Sequence, residues 1–237
     1  MAGRTEFGLR RLGWIAPAIV ILASAAFAAR WRPVIPAQNQ RRDPELSAGK
    51  LLVARRELMD PNFARTVILL VQYDDDGTVG LIINRQTKIP ISRLGDEIES
   101  AKGKSDPLYQ GGPVEQGGLL ALVRSHTKPE GAKHVAGDVY MISTKAALEK
   151  TIASGAPSSS FRLYLGYAGW DAEQLEWEIG IDSWDILPAN AGLVFDPHPE
   201  TLWTRLAADE GMQKAGLGDA VGLGSLTLAR NARSPRF

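Results

Sequence analysis

Arg85 and Trp170 are the side chains in this sequence best suited to grip a small ligand. A guanidinium presents a rigid fork of donors to a carboxylate or phosphate, and an indole presents a broad stacking face. Asn84, Gly111, Gly112 and Tyr167 fall, like those two, at the ends of apolar runs or in the turns that follow. Sheets flanked by helices place their ligands at such strand ends. With Asp60, which precedes the densest apolar run, these residues form the expected ligand-binding set: Asp60, Asn84, Arg85, Gly111, Gly112, Tyr167 and Trp170. A small anionic ligand or a protein partner is the expected occupant. The competing reading is that Trp170 packs on the sheet and Arg85 pairs with an acid.

Catalysis needs groups that converge, and the sequence supplies few. His126, His134 and His198 are the three histidines, and none sits in an HxH or HxxxH pair, so no histidine metal site is expected. Asp74, Asp75 and Asp76 carry oxygen ligands, but consecutive side chains diverge and calcium-loop spacing is lacking; a solvated turn is the simpler reading. The chain contains no cysteine and no serine in a GxSxG setting, which excludes thiol nucleophiles, disulfides and thiolate zinc. No catalytic residue, metal or cofactor is therefore assigned. The leading reading is a non-catalytic binding or regulatory module. The alternative is a hydrolase acting on a small anionic substrate, with Arg85 as binder and Asp60 or Asp171 as base. Asp171, with Gln174 three residues on, also reads as a helix-capping box. Lys plus Arg equals Asp plus Glu at 27 each, so there is no basic field for nucleic acid. No helix-turn-helix pattern is present either, and direct nucleic-acid binding is not expected.

The elements that must position these residues begin with two apolar runs, Thr66 to Tyr73 and Thr78 to Asn84, separated by Asp-Asp-Asp-Gly. Strand length, β-branched content and a turn rich in Asp and Gly predict a hairpin. Neither run alternates cleanly, so both faces should be covered. Further strands are expected at 51–53, 108–109, 117–123, 139–142, 161–167 and 183–188. Helices are expected at 92–100, after Ser143 or Thr144 with Leu148 and Ile152 inward, over 171–179, and after Asp196 with Leu202, Trp203 and Leu206 inward. The fold class is α/β (α+β), one globular domain with a mixed, largely buried sheet flanked by helices. The expected body is 49–208, followed by a tail over 209–237 that is rich in Gly and Ala near its start.

Several short motifs occur in one order: Asp60-Pro61-Asn62-Phe63, Gly80-Leu81-Ile82-Ile83-Asn84-Arg85, Gly111-Gly112-Pro113-Val114, and Leu165-Gly166-Tyr167-Ala168-Gly169-Trp170. In this the sequence resembles the YqgE/AlgH family of bacterial proteins over roughly Gly49 to Leu206. The resemblance implies a single α/β domain and a regulatory role in transcription, without a defined reaction. Two departures stand out: Gln86 where relatives carry Pro, and Asp171 where they often carry Gly.

The N-terminal segment differs from the body. Leu12 to Ala29 is a run of 18 uncharged residues flanked by Arg10 and Arg11 before and Arg30 and Arg32 after. As a helix it would be about 27 Å long, close to the hydrocarbon thickness, and it predicts a membrane anchor after a basic stretch over 1–11. Three Arg precede this run and four follow it closely, which favours a cytoplasmic body. The alternative is a signal peptide cleaved near Ala26-Phe27-Ala28, with export of the body. Residues 30–48, with Pro33, Pro36 and Pro44, read as an extended linker.

Overall fold

In the computed structural model, which describes residues 45–208 apart from 76 and 172, the two apolar runs lie side by side as a hairpin. Strand β1 (Lys50–Ala54) pairs with β2 (Val67–Asp74), and β2 with β3 (Gly77–Ile82), all antiparallel. The hairpin closes with Asp74 opposite Gly77, whose φ of 125° is a conformation that a Cβ disfavours. Then follow β4 (Gln86–Pro90), β5 (Pro107–Gln110), β6 (Val114–Arg124), β7 (Lys133–Ala136), β8 (Val139–Ile142), β9 (Phe161–Trp170) and β10 (Trp184–Pro188). The strand order is β10-β1-β2-β3-β9-β6-β8-β7, with β5 beside β9 and β4 beside β5. The β5–β9 pair is parallel and the other pairs are antiparallel, which makes the sheet mixed.

Side chains alternate across a strand, and in β2 that alternation feeds two separate cores. Val67, Leu69 and Val71 join Leu122, Val139 and Tyr164 on one side, while Ile68 and Leu70 join Trp170, Leu175 and Trp184 on the other. Both faces are covered, as expected, but helices are not the main cover of the first. There the sheet curls over its own face. Val135 of β7 shares a core with Val67 and Leu69, Lys133 Nζ donates to Gln72 Oε1 at 3.2 Å, and a Cβ on Gly49 would fall 2.7 Å from the Val135 carbonyl oxygen. The far end of the strand order thus returns to β1 and β2, and the inner face becomes a concave core closed off by Val194, Phe195 and Leu202.

Among the described residues the helices are few and short. Helix α1 (Lys145–Ala153) starts where the Thr144 hydroxyl accepts the Ala147 N–H, and its Leu148 and Ile152 bury into a third cluster with Ile98 and Ala101. Helix α2 (Gln174–Gly180) lays Leu175 on the outer face. Helix α3 (Ala191–Val194) is capped by Asn190, and a last helix, α4, covers 199–208. Leu46, within the expected linker, is buried in the outer core.

Three expectations change. The helix predicted over 92–100 is replaced by two 3-10 turns, Ile91–Leu94 and Glu99–Ala101. The amides of Ile91 and Ser92 donate to the carbonyls of Asp106 and Lys104, which holds this segment as a returning loop and leaves no α-helical start. The capping box at Asp171 forms only its return half. The Asp171 N–H donates to Gln174 Oε1, but the helix starts at Gln174 after Glu173, which sits at φ 68°. Finally, the membrane anchor, and with it the membrane-anchored localisation, is withdrawn. No helix among the described residues is long and apolar enough to cross a membrane, and the expected span at 12–29 lies outside those residues. The tail over 209–237 also lies outside them.

Candidate functional site

Asp60, Asn84 and Arg85 come together around the loop that leads into β2, and their polar atoms hold that loop in place. Asp60 Oδ1 accepts the Asn62 N–H at 2.7 Å, an Asx turn set by Asp and Pro at adjacent positions. Asn84 Oδ1 accepts the Val67 N–H at 2.8 Å while its Nδ2 donates to the Arg65 carbonyl at 3.0 Å. Arg65 lies at φ 59°, a conformation that this two-sided amide clamp helps to maintain. Arg85 Nη2 reaches the Pro61 carbonyl at 3.4 Å, and partial burial lowers its pKa, with the nearby Asp60 charge opposing. The loop also contributes Phe63, stacked on Trp170 with ring centroids 6.0 Å apart.

Gly111 and Gly112 make a backbone crossing. A Cβ on Gly111 would sit 2.2 Å from the Gly166 carbonyl oxygen, and one on Gly112 would sit 2.1 Å from the Tyr167 carbonyl carbon. The Gly111 N–H donates to Leu165 and its carbonyl accepts from Ile82, so neither of its backbone polar groups is aimed at a ligand. The glycines of the third and fourth motifs therefore serve each other: the chain passes β9 at a separation no side chain permits.

Trp170 and Tyr167 stand on opposite faces of β9. Their spacing of three residues requires this in a strand, where faces alternate with period two. Trp170 belongs to the outer core with Trp184, and both indoles donate to Glu178 Oε2 at 2.9 Å, fastening α2 to the sheet. Gly80 leaves the space that the Trp170 ring fills, since a Cβ there would lie 3.2 Å from its Cζ3. Tyr167 packs against the inner core. Their side chains therefore face different sides of the sheet.

Tyr167 instead lines a partly enclosed cleft of about 250 Å³ at the rim of the concave core. Val71, Val79, Leu119, Leu120 and Met141 supply its apolar wall, and Gln72, Glu115 and Ser143 its polar edge. Two irregularities in the ladder shape it. The β2–β3 register shifts between Leu70 and Gln72, at Val71; the β6–β9 register shifts between Val114 and Leu119, so that residues 115–118 stand opposite Gly166 alone. Bulges of this kind re-aim side chains at barrel rims and binding sites. Glu115, at φ 45°, stands with Tyr167 on the edge of this cleft. Burial and then the Glu115 charge push the Tyr167 phenol above its usual pKa. Of the seven residues expected to bind, Tyr167 is the one that lines this cleft.

The sequence over residues 51–215 matches the family model described as DUF179, AlgH-like. The chain belongs to the AlgH-like family. A UPF0301 protein of Idiomarina loihiensis is 33% identical over 179 residues, covering 73% of this chain and 95% of that protein. A UPF0301 protein of Chlorobaculum tepidum is 34% identical over 170 residues, covering 70% of this chain and 88% of that protein. The solution structure of the AlgH protein from Pseudomonas aeruginosa superposes with a TM-score of 0.60 at 27% identity, covering 84% of this chain and all of that one. The crystal structure of protein DIP2367 from Corynebacterium diphtheriae gives 0.58 at 25% identity, covering 70% of this chain and 87% of that one. In this AlgH-like chain the motif residues are explained by the loop clamp, the glycine crossing and the outer aromatic core. The cleft residues Glu115, Leu119, Leu120 and Met141 were not singled out as binders. The pair of glycines at 117 and 118 inside an apolar run was the available signal, since such glycines mark a bulge.

Proposed function

We propose that this AlgH-like chain is a non-catalytic binding module of regulatory type, and that it binds through the cleft at the rim of the concave core. The observation that carries this reading is the cleft itself. It is an apolar hollow with a few convergent polar groups, built by two bulges and edged by a glutamate in left-handed backbone. Hollows with this mix of lining are the usual form of small-ligand sites, and barrel mouths are one of their usual places. Strained backbone held at such a rim also favours a functional reading over a purely structural one. The hydrolase alternative draws less support, because the polar atoms of Asp60, Asn84 and Arg85 are engaged in fixing the Asp60–Arg65 loop.

A neutral fluorescent probe, N-phenyl-1-naphthylamine, tests this reading. Its emission is expected to rise on saturable binding to the wild-type chain and to lose that rise in Met141→Trp, whose ring fills the cleft. Equal saturable binding to both proteins, with Met141→Trp folded by circular dichroism, would count against the cleft, as would no binding to either.

A further inference from the structure

The cleft has one acidic or basic side chain on its wall, and it is an acid. Glu115 is the only Asp, Glu, Lys or Arg among its lining residues, whose other polar groups are the Gln72 amide, the Ser143 hydroxyl and the Tyr167 phenol. The nearest framework charges do not reverse that sign. Lys133 donates to Gln72 and lies 3.8 Å from Asp74, so that cation has its own acid. Lys145 lines a neighbouring hollow beyond Leu119 and Ser143 and is paired with Glu149 at 3.9 Å. Arg85, on which an anion site was expected, does not line the cleft.

We propose, building on the cleft assigned above, that its ligand is a small amphipathic organic cation: an apolar body carrying one protonated amine or guanidinium group. The body would lie against Val79, Leu120 and Met141, where the thioether adapts to irregular shapes. The cationic head would meet the Glu115 carboxylate and the face of the Tyr167 ring, whose π system attracts positive charge. Gly118 lets the 115–118 bulge fold over this edge. A Cβ there would approach the Glu115 carbonyl oxygen to 3.1 Å and Glu115 Oε2 to 3.6 Å, so the small residue keeps the carboxylate close to the cleft mouth. Glu115 is exposed, so its charge is screened and its contribution is that of a surface pair.

Three probes sharing one naphthyl body separate the head-group preference from the cleft itself: 1-naphthylmethylamine, 1-naphthalenemethanol and 1-naphthylacetate. Isothermal titration of the wild-type chain is expected to rank them amine, alcohol, acetate, with the amine about fivefold tighter than the alcohol at low salt. That advantage should shrink as sodium chloride is raised, because surface charges are screened. In Glu115→Gln the amine should lose its advantage over the alcohol. Equal affinities for amine and alcohol in the wild type, or a preference for the acetate, overturns the cation assignment and leaves the cleft standing. Failure of all three to bind overturns the cleft and this assignment together. Should Glu115→Gln unfold, the salt dependence of the wild-type ranking decides the question without it.

Discussion

Gly112 lies so close to Tyr167 that a Cβ on the glycine would fall 2.1 Å from the tyrosine carbonyl carbon. The obstacle is backbone, which cannot swing aside as a side chain can. Gly112→Ala is therefore expected to destabilise the fold by roughly 3 kcal/mol or more, by forcing β9 away from the crossing. Urea unfolding monitored by tryptophan fluorescence measures this. Gly117→Ala, at a position with open space around it, is expected to cost far less in the same assay.

Asn84 satisfies two backbone groups, the Val67 N–H and the Arg65 carbonyl, whereas Arg85 makes one long bond to Pro61. Asn84→Ala is expected to cost about 2 kcal/mol, since an amide at the buried start of β2 loses its partner. Arg85→Ala should cost less. Comparing the two by chemical denaturation separates the structural reading of this motif from a ligand-binding one, under which Arg85 would matter for binding and Asn84 for little.

Glu178 accepts hydrogen bonds from the indoles of both Trp170 and Trp184. Glu178→Leu leaves two indole N–H groups without an acceptor and is expected to destabilise by about 2 kcal/mol or more. Glu178→Gln keeps one acceptor oxygen and should lose less. Because both reporters are tryptophans, their near-ultraviolet circular dichroism should weaken in the first variant before the fold is lost.

Much of the framework was legible in the residues. The hairpin, the strands around 139–142 and 161–167 and the Thr144 cap follow from local patterning and turn chemistry, which act over a few residues. Strands β4 and β7 were missed because Gln86-Thr87-Lys88 and Lys133-His134 are polar, and their pairing comes from the partner strand. The curl was also invisible: it depends on β7 meeting β1 and β2, a contact between distant parts of the chain. The seven residues of the expected site do not all meet, for a related reason. Tyr167 and Trp170 are close in sequence, but β9 sends them to opposite faces. The cleft appears only when β2, β3, β6, β8 and β9 are brought together.

Asp196 gives the fold an acid-sensitive latch. Burial alone would raise its carboxyl pKa, but Arg205 at 2.7 Å and the His198 N–H at 2.8 Å outweigh burial and hold it below the usual range. A depressed carboxyl stabilises the folded state above its unfolded pKa of about 3.9 and loses that contribution as pH falls through its folded value. Thermal unfolding should therefore show wild-type stability falling below about pH 4, with Asp196→Asn less stable at neutral pH and flatter over that acid limb. Equal acid slopes in the two proteins would assign the loss to other carboxylates.

Intermolecular nuclear Overhauser effects between a bound neutral naphthyl probe and the methyl groups of the full chain test the binding account most directly. The cleft account expects contacts from the probe to the Leu119, Leu120 and Met141 methyls and to the Tyr167 ring. Contacts confined to the exposed apolar side chains Met59, Trp177 and Ile181, with the cleft methyls silent, would contradict it.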